Sequence, residues 1–309
     1  MQTSKAHAMD KNVSLLFDAF RTHRPKMLPG IEVARAPNPE YFDRIGGELI
    51  ELVVKAYGEK HLKDVVEAYT LFTIKVNTAQ LMYEDYGRYA PQSFDEVEAA
   101  VYSKLEYMTS YLLGVLVTTF AWEHHLRLVE FFEKYFIEPA AEGKILEIAP
   151  GHGGWGLMAL KRMPKMTLSG YDISEASMVI ARKLSAANGF GARATYAKAN
   201  ALELDRIPSG GYSHGISCFL IEHLPEPVKL LTNLYHHVKP GGRVFLTGAL
   251  TAAQEDHIYE FRRETEIMQL AEIAGFRVVA SLSDNPSRRI KKGATFIPRS
   301  MAMVLVRHD

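Results

Sequence analysis

The chain has 309 residues, 47% of them hydrophobic, and its 36 Lys plus Arg are matched by 36 Asp plus Glu for a formal net charge of zero. That is material for one large domain or two. It lacks the broad positive field with which nucleic-acid binders track phosphates. The single cysteine, Cys218, excludes an internal disulfide and a cysteine-rich zinc cluster, and in its apolar run it is expected as a small core residue.

Segment 1–17 holds no apolar stretch long enough for a signal peptide. The longest apolar run, around Tyr111 to Ala121, is interrupted by Gly114, Thr118 and Thr119 and is too short to span a membrane. A cytoplasmic protein with no membrane partner is the expectation.

Residues 1–140 read as helix throughout. Apolar residues recur at three- and four-residue steps in Ile45, Leu49, Leu52, Val53 and in Val65, Val66, Tyr69, Phe72, Ile74, the period of a helix with one buried face. The stretch from Asp95 to Phe136 is apolar on several faces, as in helices buried between others. Pro91, Ser93 and Asp95 mark a break and an N-cap before it. Tyr69, Asn77, Gln80, Tyr83, Glu84, Tyr86, Arg88 and Tyr89 form a region rich in aromatic and hydrogen-bonding groups. Asn77, Gln80 and Glu84 share one helical face.

Pro139 and the Ala140–Gly143 stretch mark a boundary, giving a helical unit 1–140 and a second unit 141–309. From Lys144 the period shortens. Seven β-like runs are expected at 144–149, 166–171, 193–197, 214–220, 243–249, 277–282 and 301–306. Helical stretches separate most of them, so the fold class is α/β, a mostly parallel, doubly wound sheet. The 283–300 connection shows no helical period and is expected as a loop returning an antiparallel last strand.

The strongest chemical signal is Glu147-Ile148-Ala149-Pro150-Gly151-His152-Gly153-Gly154-Trp155-Gly156, a strand running into a glycine turn and a helix start. Glycines at 151 and 153 let backbone approach a ligand, and the helix N-terminus offers unpaired N–H groups. The Gly151-x-Gly153-x-x-Gly156 spacing alone also fits a dinucleotide fingerprint. Glu147, an acid inside the strand four residues before the first glycine, points away from that alternative.

At this point the sequence resembles the class I (Rossmann-like) S-adenosylmethionine-dependent methyltransferases, whose first motif is an acid followed by a G-x-G-x-G turn. Here Ala149 replaces the first glycine, which is tolerable if only a small side chain is needed. The resemblance continues through Tyr171-Asp172-Ile173-Ser174, where the family places an acid on both ribose hydroxyls. It includes Ala199-Asn200-Ala201, where Asn200 stands for the usual aspartate accepting from the adenine amino group. Phe219-Leu220-Ile221-Glu222-His223 and Val238-Lys239-Pro240-Gly241-Gly242-Arg243, the latter expected as a turn into the fifth strand, complete it. The resemblance implies S-adenosyl-L-methionine as cofactor. Its implied contacts are Glu147, Ala149, Pro150, Gly151, Gly153, Asp172, Ile173, Asn200, Ala201 and Phe219.

Methyl transfer from a sulfonium is an in-line displacement in which alignment and water exclusion do most of the work. His223, with Glu222, is the candidate base for an oxygen or nitrogen acceptor. Tyr83 and Glu84 are the candidate acceptor-side residues, on helices expected to close over the site. The histidine pairs 124–125 and 236–237 are expected as surface or core residues, and no spacing along the chain suggests a metal. The run Arg288-Arg289-Ile290-Lys291-Lys292 is expected as a solvated loop. The leading expectation is a methyltransferase acting on a small-molecule acceptor, with no nucleic-acid partner and a second copy of the chain as the other candidate partner. The Asn/Asp-Pro-Pro-Tyr/Phe tetrapeptide of base and glutamine amino-methylating enzymes is absent. An RNA or protein methyltransferase, a nicotinamide-dependent oxidoreductase and a non-catalytic cofactor-binding scaffold remain open at this point.

Overall fold

The computed structural model describes residues 8–89, 105–204, 207, 211–286 and 295–308. The expected break at 91–95 and the basic run 288–292 lie outside these.

Six helices lead the described chain: α1 Lys11–His23, α2 Leu28–Arg35, α3 Pro39–Tyr57, α4 Leu62–Tyr86, α5 Leu105–Ala121 and α6 Glu123–Tyr135. Local signals set their starts. Asp10 accepts from the N–H groups of Asn12 and Val13 at the head of α1, and Asn38 caps α3 just before Pro39. Ile45, Leu49 and Val53 are fully buried as their period requires. On α4, Val65, Val66, Tyr69 and Phe72 are buried but Ile74 is exposed; it falls outside the stripe facing the other helices. Trp122, in extended backbone, separates α5 from α6.

The sheet contains β1 Gly143–Ile148, β2 Met166–Asp172, β3 Ala194–Lys198, β4 Tyr212–Ser217, β5 Val238–Leu250, β6 Phe276–Asp284 and β7 Arg299–Arg307. Helices α7 Gly154–Arg162, α8 Glu175–Ala187, α9 Pro227–His237 and α10 Glu264–Ile273 connect them. Strand order is β3-β2-β1-β4-β5-β7-β6. All strands run parallel except β7, which is antiparallel to both β5 and β6. Seven strands and the antiparallel return are as expected. The segment Val238–Arg243 is not a turn ahead of β5. Tyr212 pairs with Val238 and His214 with Arg243, so residues 239–242 form a bulge within the strand, with Gly241 at φ 72°.

Alternation along the strands builds the two faces of the core. Ile145, Ile216, Phe245, Ala302 and Val304 pack in one cluster with α7, α8 and the buried faces of α1–α6. Leu146, Val244, Leu246, Met303 and Leu305 pack on the other side with α9 and α10. The leading helices thus continue the α7–α8 layer and share its core. One ion-pair network ties the layers. Glu133 on α6 accepts from Tyr41 and Arg44 of α3 at 2.9 and 2.7 Å and from Arg162 of α7 at 2.6 Å. Burial raises the Glu133 carboxyl, but hydrogen bonds from Arg44, Arg162 and Tyr41 outweigh it and hold it down to about 2.

Candidate active site

A cavity of about 570 Å³ opens at the carboxyl ends of β1–β5, beneath α2 and α4–α6. In a doubly wound sheet this crevice is where ligands bind, because the chain leaves the strand ends in opposite directions there.

Its floor is the glycine turn. The Glu147 Oε1 accepts the Gly156 N–H at 3.0 Å, pinning the start of α7 to the strand. A Cβ on Gly156 would stand 2.2 Å from Glu147 Oε2, which is why that position is glycine. Burial is the main reason the Glu147 carboxyl is raised to about 8; the Gly156 N–H opposes it and Asp172 adds to it. Asp172, at the end of β2, accepts from Ser174 N–H at 2.9 Å and Gly151 N–H at 3.1 Å. Burial raises it to about 6 against those N–H groups and that of Ile173. Two acids thus hold one loop, and the two Asp172 oxygens, with about four lone pairs between them, keep accepting capacity beyond these N–H groups.

Glu147, Ala149, Pro150, Gly151, Asp172, Ile173, Asn200, Ala201 and Phe219 all line the cavity. Gly153 does not. It sits at φ 75° as the N-cap of α7, its α-carbon turned toward Ala181 and Tyr196, so it serves helix packing. Asn200 Oδ1 accepts from Leu202 N–H at 2.9 Å; among the described residues the amide NH₂ makes no hydrogen bond. Ala149 stands at φ 54°, so the position needs more than a small side chain. It needs the left-handed backbone that glycine adopts without strain.

On the helical side the structure corrects two residues. Tyr83 is buried away from the cavity, against Tyr89 and Ala253, with its hydroxyl donating to Glu260 at 2.6 Å. Glu84 is exposed. The period that grouped Asn77, Gln80 and Glu84 places only the first two on the cavity wall, because by Glu84 the helix has passed beyond the cleft. The wall is instead aromatic: Tyr69 and Phe72 of α4, Tyr111 of α5, and Trp122. His124 stacks on Trp122 at 5.7 Å, and His125 lies 4.9 Å from Phe219 while its Nε2 reaches Ser300 Oγ at 3.2 Å. Burial holds both imidazoles low, His124 to about 3, so they line the cavity neutral. Cys218, expected in the core, is only half-buried and also lines it.

His223 and Glu222 occupy a polar corner. They form a 3₁₀ turn, Ile221–His223, after β4. The segment after β5 is laced to that turn, since the N–H groups of Ile258 and Tyr259 both donate to Glu222 O at 2.9 Å. This brings in Asp256 and His257, which nothing in the local sequence marked. His223 Nδ1 donates to Asp256 O at 2.9 Å and lies 3.6 Å from its carboxylate. Tyr111 OH donates to Asp256 Oδ2 at 3.4 Å and accepts from Gln254 at 2.7 Å. Spacing along the chain gave no metal-ligand pattern, yet one ligand atom each from Glu222, His223 and His257 come within 4.8 Å of one another.

Among the described residues no helix is long and apolar enough to cross a membrane. Residues 145–242 match the methyltransferase-domain family. The demethylmenaquinone methyltransferase of Thermus thermophilus is 32% identical over 104 residues, 34% of this chain and 46% of that protein. The match therefore spans under half of that relative's length. An O-methyltransferase family protein from Burkholderia thailandensis superposes with a TM-score of 0.54 at 16% identity, covering 80% of this chain and 72% of that one. Phosphoethanolamine N-methyltransferase 2 of Haemonchus contortus, in complex with S-adenosyl-L-methionine, gives 0.53 at 17% identity over 71% and 61%. The [4+2]-cyclase SpnF gives 0.51 at 13% identity over 60% and 82%. These structural likenesses show the fold, and with the family match over the glycine turn and the β1–β5 strand ends they make one assignment. The sheet half of this chain has the Rossmann-like fold of the class I S-adenosylmethionine-dependent methyltransferases, and its residues 145–242 carry the methyltransferase-domain match.

Proposed function

We propose that the protein binds S-adenosylmethionine across the ends of β1–β4 and transfers its methyl group to a small-molecule acceptor held under α4–α6. The observation that carries this reading is a single continuous cavity joining the turn held by Glu147 and Asp172 to the aromatic wall. In this reading Asp172 takes the ribose hydroxyls. The Asn200 side chain meets adenine, its amide NH₂ donating to a ring nitrogen while Oδ1, with one lone pair on Leu202 N–H, can still accept from the adenine amino group. An enclosed wall of Tyr69, Phe72, Tyr111 and Trp122 suits an acceptor with a planar or apolar body and excludes water from the displacement. The quinone named for the Thermus relative is compatible with such a body. A macromolecular acceptor would have to thread a single side chain or base into the cavity.

His223 and Glu222 would meet the acceptor at the polar corner. Because a carbonyl only accepts, the His223 proton sits on Nδ1 toward Asp256, leaving Nε2 the basic nitrogen. His223→Ala should lower the rate roughly 10²–10⁴-fold with cofactor affinity retained.

Calorimetry with S-adenosylhomocysteine and with NAD tests the cofactor, and label transfer from methyl-labelled donor across a small-molecule library tests the reaction. Binding without transfer to any acceptor would favour a non-methylating role, of the kind the name of the [4+2]-cyclase SpnF describes on the same fold. Binding of NAD in preference to S-adenosylhomocysteine would end the reading.

A further inference from the structure

We propose that Glu222, His223 and His257 form a binding site for a divalent first-row transition metal at the polar corner of the cavity, with positions open to a ligand oxygen or nitrogen. One ring nitrogen of each histidine and one Glu222 oxygen lie within 4.8 Å of one another, and all three residues are buried. Each of them lines the cavity, so the open side of such a site faces the space an acceptor would fill.

The hydrogen bonds around the histidines are those of metal ligands. His223 Nδ1 donates to Asp256 O at 2.9 Å, and His257 Nδ1 donates to Ala252 O at 2.8 Å. A backbone carbonyl on one ring nitrogen fixes the tautomer and directs the lone pair of the other, which is the usual outer support of a metal-bound imidazole. The two rings meet edge to face, 4.7 Å between centroids at 85°. The independent observation is Glu222. Its residue is 0% exposed, and among the described residues neither carboxylate oxygen receives a well-formed hydrogen bond. An acid buried without a well-formed hydrogen bond is costly unless something pairs with it, and a cation among two imidazole lone pairs supplies that partner.

Two imidazoles and one carboxylate suit zinc, iron(II), cobalt(II), nickel(II) or manganese(II) in an open site better than a closed structural one, since three protein ligands leave positions open. Ligand atoms around a tetrahedral ion stand roughly 3.5 Å apart, so loading the site requires side-chain shifts of about one ångström. In a loaded site the His223 Nε2 lone pair is a metal ligand and His223 is no longer the base, while Asp256, beside it, is a positioning residue that orients that ligand.

The test is metal binding by the full chain and does not depend on methyl transfer. After chelator treatment the protein is titrated with cobalt(II), followed by visible absorption and calorimetry, with zinc(II) as competitor. One saturable cobalt per chain with a ligand-field spectrum is expected. Glu222→Gln and His257→Gln, near-isosteric so that circular dichroism can certify folding, should each weaken it roughly 10–100-fold or more. His236→Ala, an exposed histidine, should bind as wild type. No saturable binding by wild type, or wild-type binding in both folded variants, overturns the site. Capture of a simple quaternary ammonium in place of cobalt, lost in Glu222→Gln, would assign the corner to an organic cation and equally overturn it.

Discussion

Three non-glycine residues among those described adopt left-handed backbone, and all three follow strands that end at the cavity: Ala149 after β1, Phe219 after β4 and Thr251 after β5. Backbone strain gathers where a site dictates the path of the chain. For Ala149 the cost is about 1–2 kcal/mol, while glycine costs roughly 0.5–1 kcal/mol in lost unfolded-state freedom. Ala149→Gly should therefore be neutral or stabilising by up to about 1 kcal/mol in chemical denaturation, and Ala149→Val should be clearly destabilising. A marked loss of stability in the glycine variant would mean that the strain is absorbed elsewhere. The cofactor residues test at the same scale. Asp172→Ala should weaken S-adenosylhomocysteine by roughly 1–3 kcal/mol, whereas Glu84→Gln, on the exposed face of α4, should leave binding and turnover alone. Residues adjacent to a strand end were legible from the chain because the strand itself aims them. His124, His125, Asp256 and His257 were not, since what makes them lining residues is packing between segments from 33 to 175 residues apart.

At the level of elements, the junction of β1, the glycine turn and α7 is held by a buried acid, which makes it pH-dependent. The folded Glu147 carboxyl is raised to about 8 by burial. A group raised in this way adds stability below its unfolded value near 4.5, and that stability is lost as pH rises through about 8. Glu147→Gln keeps the acceptor for Gly156 N–H but carries no charge. Between about pH 5 and 9 the wild type should lose stability relative to this variant, by on the order of a few kcal/mol, as read from urea midpoints. Parallel slopes for the two proteins would show that Glu147 is solvated in the folded state. Glu133 runs the other way. Held down to about 2, its contribution is present above about 4.5 and lost toward pH 2, so Glu133→Gln should remove part of the acid sensitivity of helix docking. The elements themselves were legible because strands buried on two faces alternate with helices of a different period. The bulge at 239–242 was not, for register belongs to the pair of strands and a Pro-Gly-Gly stretch reads equally as a turn.

For the molecule as a whole, the helices roof the cavity and are fastened to the segment after β5 by few, identifiable bonds. The Gln80 amide donates to Thr251 O at 3.3 Å and accepts from Ala253 N–H at 2.9 Å. Tyr89 OH donates to Ala252 O at 2.8 Å, Tyr83 OH to Glu260 at 2.6 Å, and Lys75 pairs with Glu255 at 2.7 Å. The same segment carries Asp256 and His257, so the fastening of the roof and the shape of the polar corner are coupled through one short stretch of chain. Opening some of these bonds would widen the way out for a ligand beneath the roof, and such openings commonly set turnover. Gln80→Ala removes two bonds, at about 1 kcal/mol each, without altering the strand-end residues proposed to hold the cofactor. Hydrogen exchange in 77–89 and 251–262 should quicken in that variant, the acceptor Michaelis constant should rise, and S-adenosylhomocysteine affinity should stay within about twofold. Tyr83→Phe should quicken exchange in the same segments while sparing chemistry, because its hydroxyl reaches Glu260 and not the cavity. Unchanged exchange in both variants would show that the roof is fixed by its apolar core and that ligands pass elsewhere.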